Sequence, residues 1–306
     1  MEHTSTDRET KMLTSEHDPM HLCPKIDKIF EFCQRQPVRY RHMLAELKPR
    51  DPALSVAWCE FYGMMPITQS IFYADSCDNI GLLAAYRRNR LRIEGELGSV
   101  TPACLQDWCQ RLNPVGVATT SEPIRDLLCQ TFGRNGWNIN FHYATTAERF
   151  QAVASHNIRC LSLNDSEAFK RFVERPGDTP FLSIQHAHPA FVRDFEFLKA
   201  GYPVLCYAAF AEDEIVGLLT TNPFSDFCVE ISRLHVLSDY RKQGIARSLI
   251  SAFTQETLDS GCKPVLAISG EFKRMERLVA PLGYEVASPF WHKRYWTDLP
   301  TKSVSL

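Results

Sequence analysis

From Val236 to Arg247 the chain reads Val236-Leu237-Ser238-Asp239-Tyr240-Arg241-Lys242-Gln243-Gly244-Ile245-Ala246-Arg247, an apolar strand end, a basic turn and the start of a helix. The first amides of a helix have no partner within it, and the helix dipole adds partial positive charge at the same place. Such a turn is suited to hold an anion. Gly244 lets a phosphate approach the backbone closely, and Ala246 keeps the following turn small. Arg241, Lys242 and Arg247 bring full positive charges beside those amides. Two residues just upstream could move protons. Glu230 lies between Val229 and Ile231, and partial desolvation is what makes a carboxylate a useful base. His235 is the second candidate, because histidine titrates near neutrality. By strand alternation, a solvent-facing Glu230 and a His235 that serves only through its backbone fit the same residues.

A turn of this kind needs a strand before it and a helix after it. Val204–Phe210, Ile215–Thr220 and Phe227–Val236 read as strands, the first two joined by the turn Glu212-Asp213-Glu214. In the third, apolar residues fall at Val229, Ile231, Leu234 and Val236, so even spacing becomes odd after Ile231. One extra residue, a β-bulge, accounts for that change. Beyond the turn, Ile245, Leu249, Ile250, Phe253 and Leu258 recur at helical spacing, and Ser260-Gly261 ends the helix. Pro264–Ile268 reads as a short strand and Phe272–Leu282 as an amphipathic helix. Gly283–Val286 and Phe290–Trp296 read as a closing hairpin of aromatic-rich strands.

The pattern Arg241-x-x-Gly244-x-Ala246 in this setting resembles the (Gln/Arg)-x-x-Gly-x-(Gly/Ala) signature of the GCN5-related N-acetyltransferases (GNAT). The order of elements is similar to that family's core over roughly residues 158–298. The resemblance implies an α/β fold with a mixed sheet, the GNAT acyl-CoA N-acyltransferase fold. It implies acetyl-coenzyme A as cofactor, and transfer of its acetyl group to a primary amine of a small molecule or protein by direct attack in a ternary complex. Arg241, Lys242, Gln243, Gly244, Ile245, Ala246 and Arg247 would then hold the pyrophosphate. Backbone groups of Leu234, His235, Val236 and Leu237 would serve the thioester oxygen and the pantetheine arm, in a slot opened by the bulge. Glu230 lies eleven residues before Arg241, the spacing at which histone-acetylating members carry their catalytic glutamate.

One family feature is missing. Many members place a tyrosine four residues before a Gly-(Phe/Tyr) pair to protonate the departing thiolate. Here the pair is Gly283-Tyr284, and the position four before Gly283 is Val279. The family's Asn at the start of that helix is replaced by Phe272. Tyr284, Ser269 or a bound water are the substitutes for the acid, with a core role for Tyr284 the other reading of its place. The catalytic candidates are therefore Glu230, His235 and Tyr284. Trp291, His292, Arg294, Tyr295 and Trp296 could line an acceptor pocket or simply fill the core. A different class is compatible with the same turn: a catalytically weak acyl-CoA-binding sensor, which the missing tyrosine favours.

In the first half, residues 1–20 are polar and read as a disordered tail. Cys23–Leu47 has helical rhythm and Ala53–Tyr62 is a further helix candidate. Ser70–Tyr73, Ile80–Tyr86 and Arg90–Glu96 read as strands, followed by helix Pro102–Leu112, strand Val115–Thr119, helix Pro123–Phe132 and strand Asn138–Tyr143. This is a shortened version of the second half's order. It suggests a degenerate GNAT-like repeat, as in the tandem glycine N-acyltransferases and mycothiol synthases. No phosphate signature precedes a helix there, so this half is expected to bind no coenzyme A. The expected domains are residues 21–150 and 151–306.

At 306 residues two domains are the natural prior. A net charge of −2, spread evenly, argues against a nucleic-acid surface, and no apolar run is long enough to cross a bilayer. The eleven cysteines show no paired ligand spacing, so no metal is expected, and an odd count without an export signal reads as reduced thiols in a cytoplasmic protein. The expected partner is the amine acceptor alone, with the chain a monomer or homodimer.

Overall fold

The computed structural model describes residues 19–48, 51–53, 70–87, 90–98, 100–153, 156–175, 184–201, 205–222, 225–270 and 273–294. In chain order the elements begin with β1 (His21–Leu22), α1 (Ile26–Gln34), α2 (Arg41–Leu47), β2 (Ile71–Ala74), β3 (Leu82–Arg87) and β4 (Arg90–Gly95). Next come α3 (Pro102–Leu112), β5 (Gly116–Thr119), α4 (Glu122–Phe132) and β6 (Trp137–Ala144). The second series is β7 (Asn157–Cys160), α5 (Ser166–Val173), α6 (Ile184–Lys199), β8 (Cys206–Ala211), β9 (Glu214–Thr221) and β10 (Cys228–Val236). It closes with α7 (Ile245–Asp259), β11 (Lys263–Ser269), α8 (Lys273–Val279) and β12 (Glu285–Arg294). Both series read β-α-α-β-β-β-α-β-α-β. Among the described residues, the first half thus shows every element of the second half's order, not the shortened one its sequence suggests.

The chain divides into two compact units, and the division is not contiguous. Unit one takes residues 1–32, 68–140 and 289–306, and unit two takes 33–67 and 141–288. In place of one boundary near residue 150, the chain passes between the units four times, after residues 32, 67, 140 and 288. The last strand of each repeat explains two of the crossings. Trp291–Arg294 of β12 pair antiparallel with Gly116–Thr119 of β5 in unit one, whereas Ser288 of the same strand bonds His142 of β6 in unit two, Oγ to Nδ1 at 3.0 Å. The other two, after residues 32 and 67, place α2 in unit two.

Unit one is an antiparallel run β1-β2-β3-β4 with a parallel step to β5. Its core sets Tyr73, Leu82, Leu91 and Ile93 against Leu105 and Trp108 of α3 and Ile124 of α4. The Tyr73 and Trp108 rings meet edge to face at 5.2 Å. Helix α3 starts where its sequence says it should: Thr101 Oγ1 accepts from Cys104 N at 3.3 Å, and Pro102 occupies the first turn.

Unit two repeats the plan, with β7-β8-β9-β10 antiparallel and β10 parallel to β11 across α7. Helix α7 buries Ile245, Leu249, Ile250 and Phe253 on the sheet, each contributing about 1.5–3 kcal/mol by burial. Gly217 of β9 lets the helix come close: a Cβ there would stand 2.9 Å from Ile245 Cγ2 and 3.1 Å from Leu249 Cδ1.

The structure changes several sequence expectations. Cys23–Leu47 is two helices, broken around Pro37, which has no N–H to continue a ladder. The closing hairpin is instead one strand, β12. Proline's φ suits an extended chain, and the β5 pairing begins only at Trp291, so Pro289 need supply no donor to it. Residues 1–18 of the tail, most of Ala53–Tyr62, Phe272, Tyr295 and Trp296 lie outside the described residues.

Candidate active site

Strand β10 ends at Val236, and the Leu237 N–H donates to Val216 O at 2.9 Å, holding the strand end on β9. A single 3-10 turn, Ser238–Tyr240, follows. Arg241 Nε donates back to Val236 O at 2.9 Å, and Gln243 Nε2 to Asp239 O at 3.1 Å, so the turn is closed by its own side chains. Lys242 (φ 63°) and Gly244 (φ 87°) both adopt the left-handed conformation, which turns backbone N–H groups toward one concavity. Gly244 is the N-cap of α7, and no side chain caps that end. Its first-turn amides are thus left to an outside acceptor.

A cavity of about 400 Å³ sits there. Val236, Tyr240, Arg241, Lys242, Gly244, Ile245, Ala246 and Arg247 line it from the strand, turn and helix, and Leu278 from α8. Arg247 Nε is buried with no hydrogen-bond partner among the described residues. A buried guanidinium N–H, uncapped amides and a left-handed glycine together fit an oxyanion such as a phosphate. Of the residues expected to hold a pyrophosphate, all but Gln243 line this cavity.

The bulge opens the sheet beside it. The β10 register with β9 shifts between Ile231 and Arg233 and then continues to Val236↔Gly217. The parallel register with β11 stops earlier, at Ile231↔Leu266. From Ser232 onward β10 is no longer paired to β11, and this stretch, which ends at the cavity-lining Val236, is where the expected slot would lie. Leu234, His235 and Val236 lie on this stretch of β10, and of the three Val236 lines the cavity. Leu237 is buried, with its amide already committed to Val216.

The candidate proton carriers are not gathered at one point. Glu230 lies at the far end of the slot, roughly 20 Å up the strand from Val236 at about 3.3 Å per residue. Its side chain is 10% exposed and forms an ion pair with Arg41 of α2, which is 3% exposed. Arg41 Nη1 also donates to Val38 O at 3.3 Å. The His235 ring is buried on the opposite side of the strand from Val236, edge to face with Phe172 at 5.8 Å. The Tyr284 hydroxyl is paired with Thr254 Oγ1 at 2.6 Å, and burial pushes its phenol well above the ordinary range. Its ring fills the core of unit two, away from the cavity, so the core reading of Tyr284 replaces the acid reading. Val279 is fully buried in the same core.

Sequence reasoning missed three of these residues. Tyr240 and Leu278 line the cavity, and the apolar face of α8 was the one hint for Leu278. Arg41 carries no local signal, since it meets Glu230 across 189 positions of chain.

Residues 170–284 match the family model described as Acetyltransferase (GNAT) family. An X-ray structure of a Drosophila protein aligns at 14% identity over 90% of this chain and 98% of its own, with a TM-score of 0.56. An acetyltransferase of the GNAT family from Colwellia psychrerythraea aligns at 9% identity over 90% of this chain and 99% of its own, with a TM-score of 0.54. At such identities these likenesses show the fold alone. No curated protein matches the chain in sequence.

Proposed function

We propose that the GNAT domain of residues 170–284, completed by its neighbouring strands, transfers an acetyl group from acetyl-coenzyme A to a primary amine. The observation that supports this most is the cavity at the uncapped start of α7, at the end of the stretch where β10 is no longer paired to β11. The amides from Lys242 to Arg247 and the Arg247 guanidinium would hold the pyrophosphate, with Lys242 adding charge at the rim. Bound there, acetyl-coenzyme A would supply a thioester carbonyl to the attacking amine. The edge of β10 past Ile231, no longer paired to β11, would offer backbone groups to bind an extended arm and to polarise a carbonyl oxygen. Glu230 accepts the amine's proton, directly or through a water, as the C–N bond forms. Water gives the departing sulfur its proton, because Val279 holds the usual acid's position and Tyr284 is engaged by Thr254.

Unit one carries no matching site in this reading. The N-terminus of α3, which stands where α7 stands in the second repeat, is capped by Thr101 and opens with a proline that has no N–H. The chain would bind one coenzyme A.

A sensor that binds the cofactor without turnover is the second reading, favoured by the absent tyrosine. Thiol release from acetyl-coenzyme A separates the two, tested against glycine, spermidine, phenylethylamine and a lysine-bearing peptide with the amide product checked by mass. Release matched by amide supports the transferase. Tight coenzyme A binding with no amine-dependent release supports the sensor.

A further inference from the structure

The Arg41–Glu230 pair joins two positions that no motif connects. Arg41 opens α2, in the stretch 33–67 that groups with unit two although it belongs in sequence to the first repeat. Both partners are nearly out of water, at 3% and 10% exposure. Beside Arg41, Tyr40, Met43 and Leu44 are buried too, so the helix is packed down and the guanidinium is not free to swing. Its Nε meets Glu230 Oε2, while Nη1 is tied to the Val38 carbonyl in the turn before the helix. With the planar guanidinium itself anchored on Val38, its Nε donor restrains the position of Glu230 Oε2 more tightly than a flexible ammonium would. Glu230 itself stands on β10 at the last stretch still paired to β11, one residue before that pairing ends.

We propose that Arg41 is a positioning residue for amine deprotonation: the first repeat lends α2 to the catalytic unit so that its arginine holds the Glu230 carboxylate in working orientation. This rests on Glu230 being the base. Arg41 touches neither amine nor cofactor in this proposal, and it acts only through Glu230. The inference goes beyond the family pattern, since the residue comes from outside the matched segment 170–284.

A double-mutant cycle tests it on the full chain, with acetyl-coenzyme A and whichever amine of the panel gives the fastest thiol release. Glu230→Gln is expected to lower kcat about a hundredfold. Arg41→Gln should lower kcat by about ten- to a hundredfold, the range for a misplaced catalytic group, with KM for acetyl-coenzyme A unchanged. In the double variant, Arg41→Gln should cost nothing further, because the group it orients is already gone. If Arg41→Gln does not fold, Arg41→Lys keeps the buried charge and carries the same cycle, again with a fall in kcat only when Glu230 is present. An equal fall in both backgrounds, or wild-type kcat in Arg41→Gln or folded Arg41→Lys, would overturn the proposal while leaving Glu230 as base. Full turnover in Glu230→Gln would remove the base reading itself, and the positioning role with it.

Discussion

Replacing Gly244 separates three consequences that the structure assigns to one residue. Its φ of 87° lies in the left-handed region, where a Cβ costs about 1–2 kcal/mol. Space on the protein side is not the obstacle: a Cβ would find His156 Cε1 at 3.6 Å, an ordinary contact. Gly244→Ala should therefore fold and lose only about 1–2 kcal/mol, a fall of several degrees in Tm. Gly244→Asn should recover most of that, because asparagine tolerates left-handed backbone. Cofactor affinity should follow a different order, since any side chain at the cap intrudes on the concavity that an anion would fill. Both variants, and Gly244→Val more strongly, should weaken coenzyme A by at least tenfold, about 1.4 kcal/mol. Thermal unfolding and isothermal calorimetry read the two effects separately. Wild-type coenzyme A affinity in a folded Gly244→Val would refute the assignment of the anion to this turn.

Four further substitutions probe the rest of the site. Glu230→Gln should keep coenzyme A affinity and lose about a hundredfold in turnover, whereas His235→Gln should keep turnover, its ring being packed on Phe172; the reverse result would move the base to His235. Gly217→Ala forces a methyl against Ile245 and Leu249 beneath the first turn of α7, so it should destabilise by about 1–3 kcal/mol and weaken coenzyme A. Unchanged Tm and affinity there would mean the helix start is not held by this close approach. Tyr284→Phe should lose roughly 1 kcal/mol of stability with the Thr254 hydrogen bond and keep its turnover, and a large fall in kcat without unfolding would return Tyr284 to the list of acids.

What the sequence revealed and what it hid follow from the range of the forces involved. The bulge after Ile231 was legible because one extra residue changes which face every later side chain takes, and apolar spacing records that locally. Helix α3 was legible to the residue, its expected span Pro102–Leu112 being the observed one, while Thr101 as its cap and Asn113 as its left-handed end came from the structure. The turn at Gly244 was legible because its chemistry lies within a few consecutive residues. The path of β12 through Pro289 was not, since a proline reads as a break unless the neighbouring strand is known to leave that position unpaired. Nor was the sharing of β6 and β12 between units, which depends on pairings between distant strands. Arg41 was beyond reach altogether: nothing around it marks it, and its meaning comes only from a carboxylate 189 residues away.

The most direct test is a crystal structure of the full chain with coenzyme A. The account predicts one molecule per chain, its pyrophosphate within hydrogen-bonding distance of the amides between Lys242 and Arg247, and its pantetheine arm along the open edge of β10 toward Glu230. Density for the pyrophosphate anywhere else, or a second molecule at the start of α3, would contradict it.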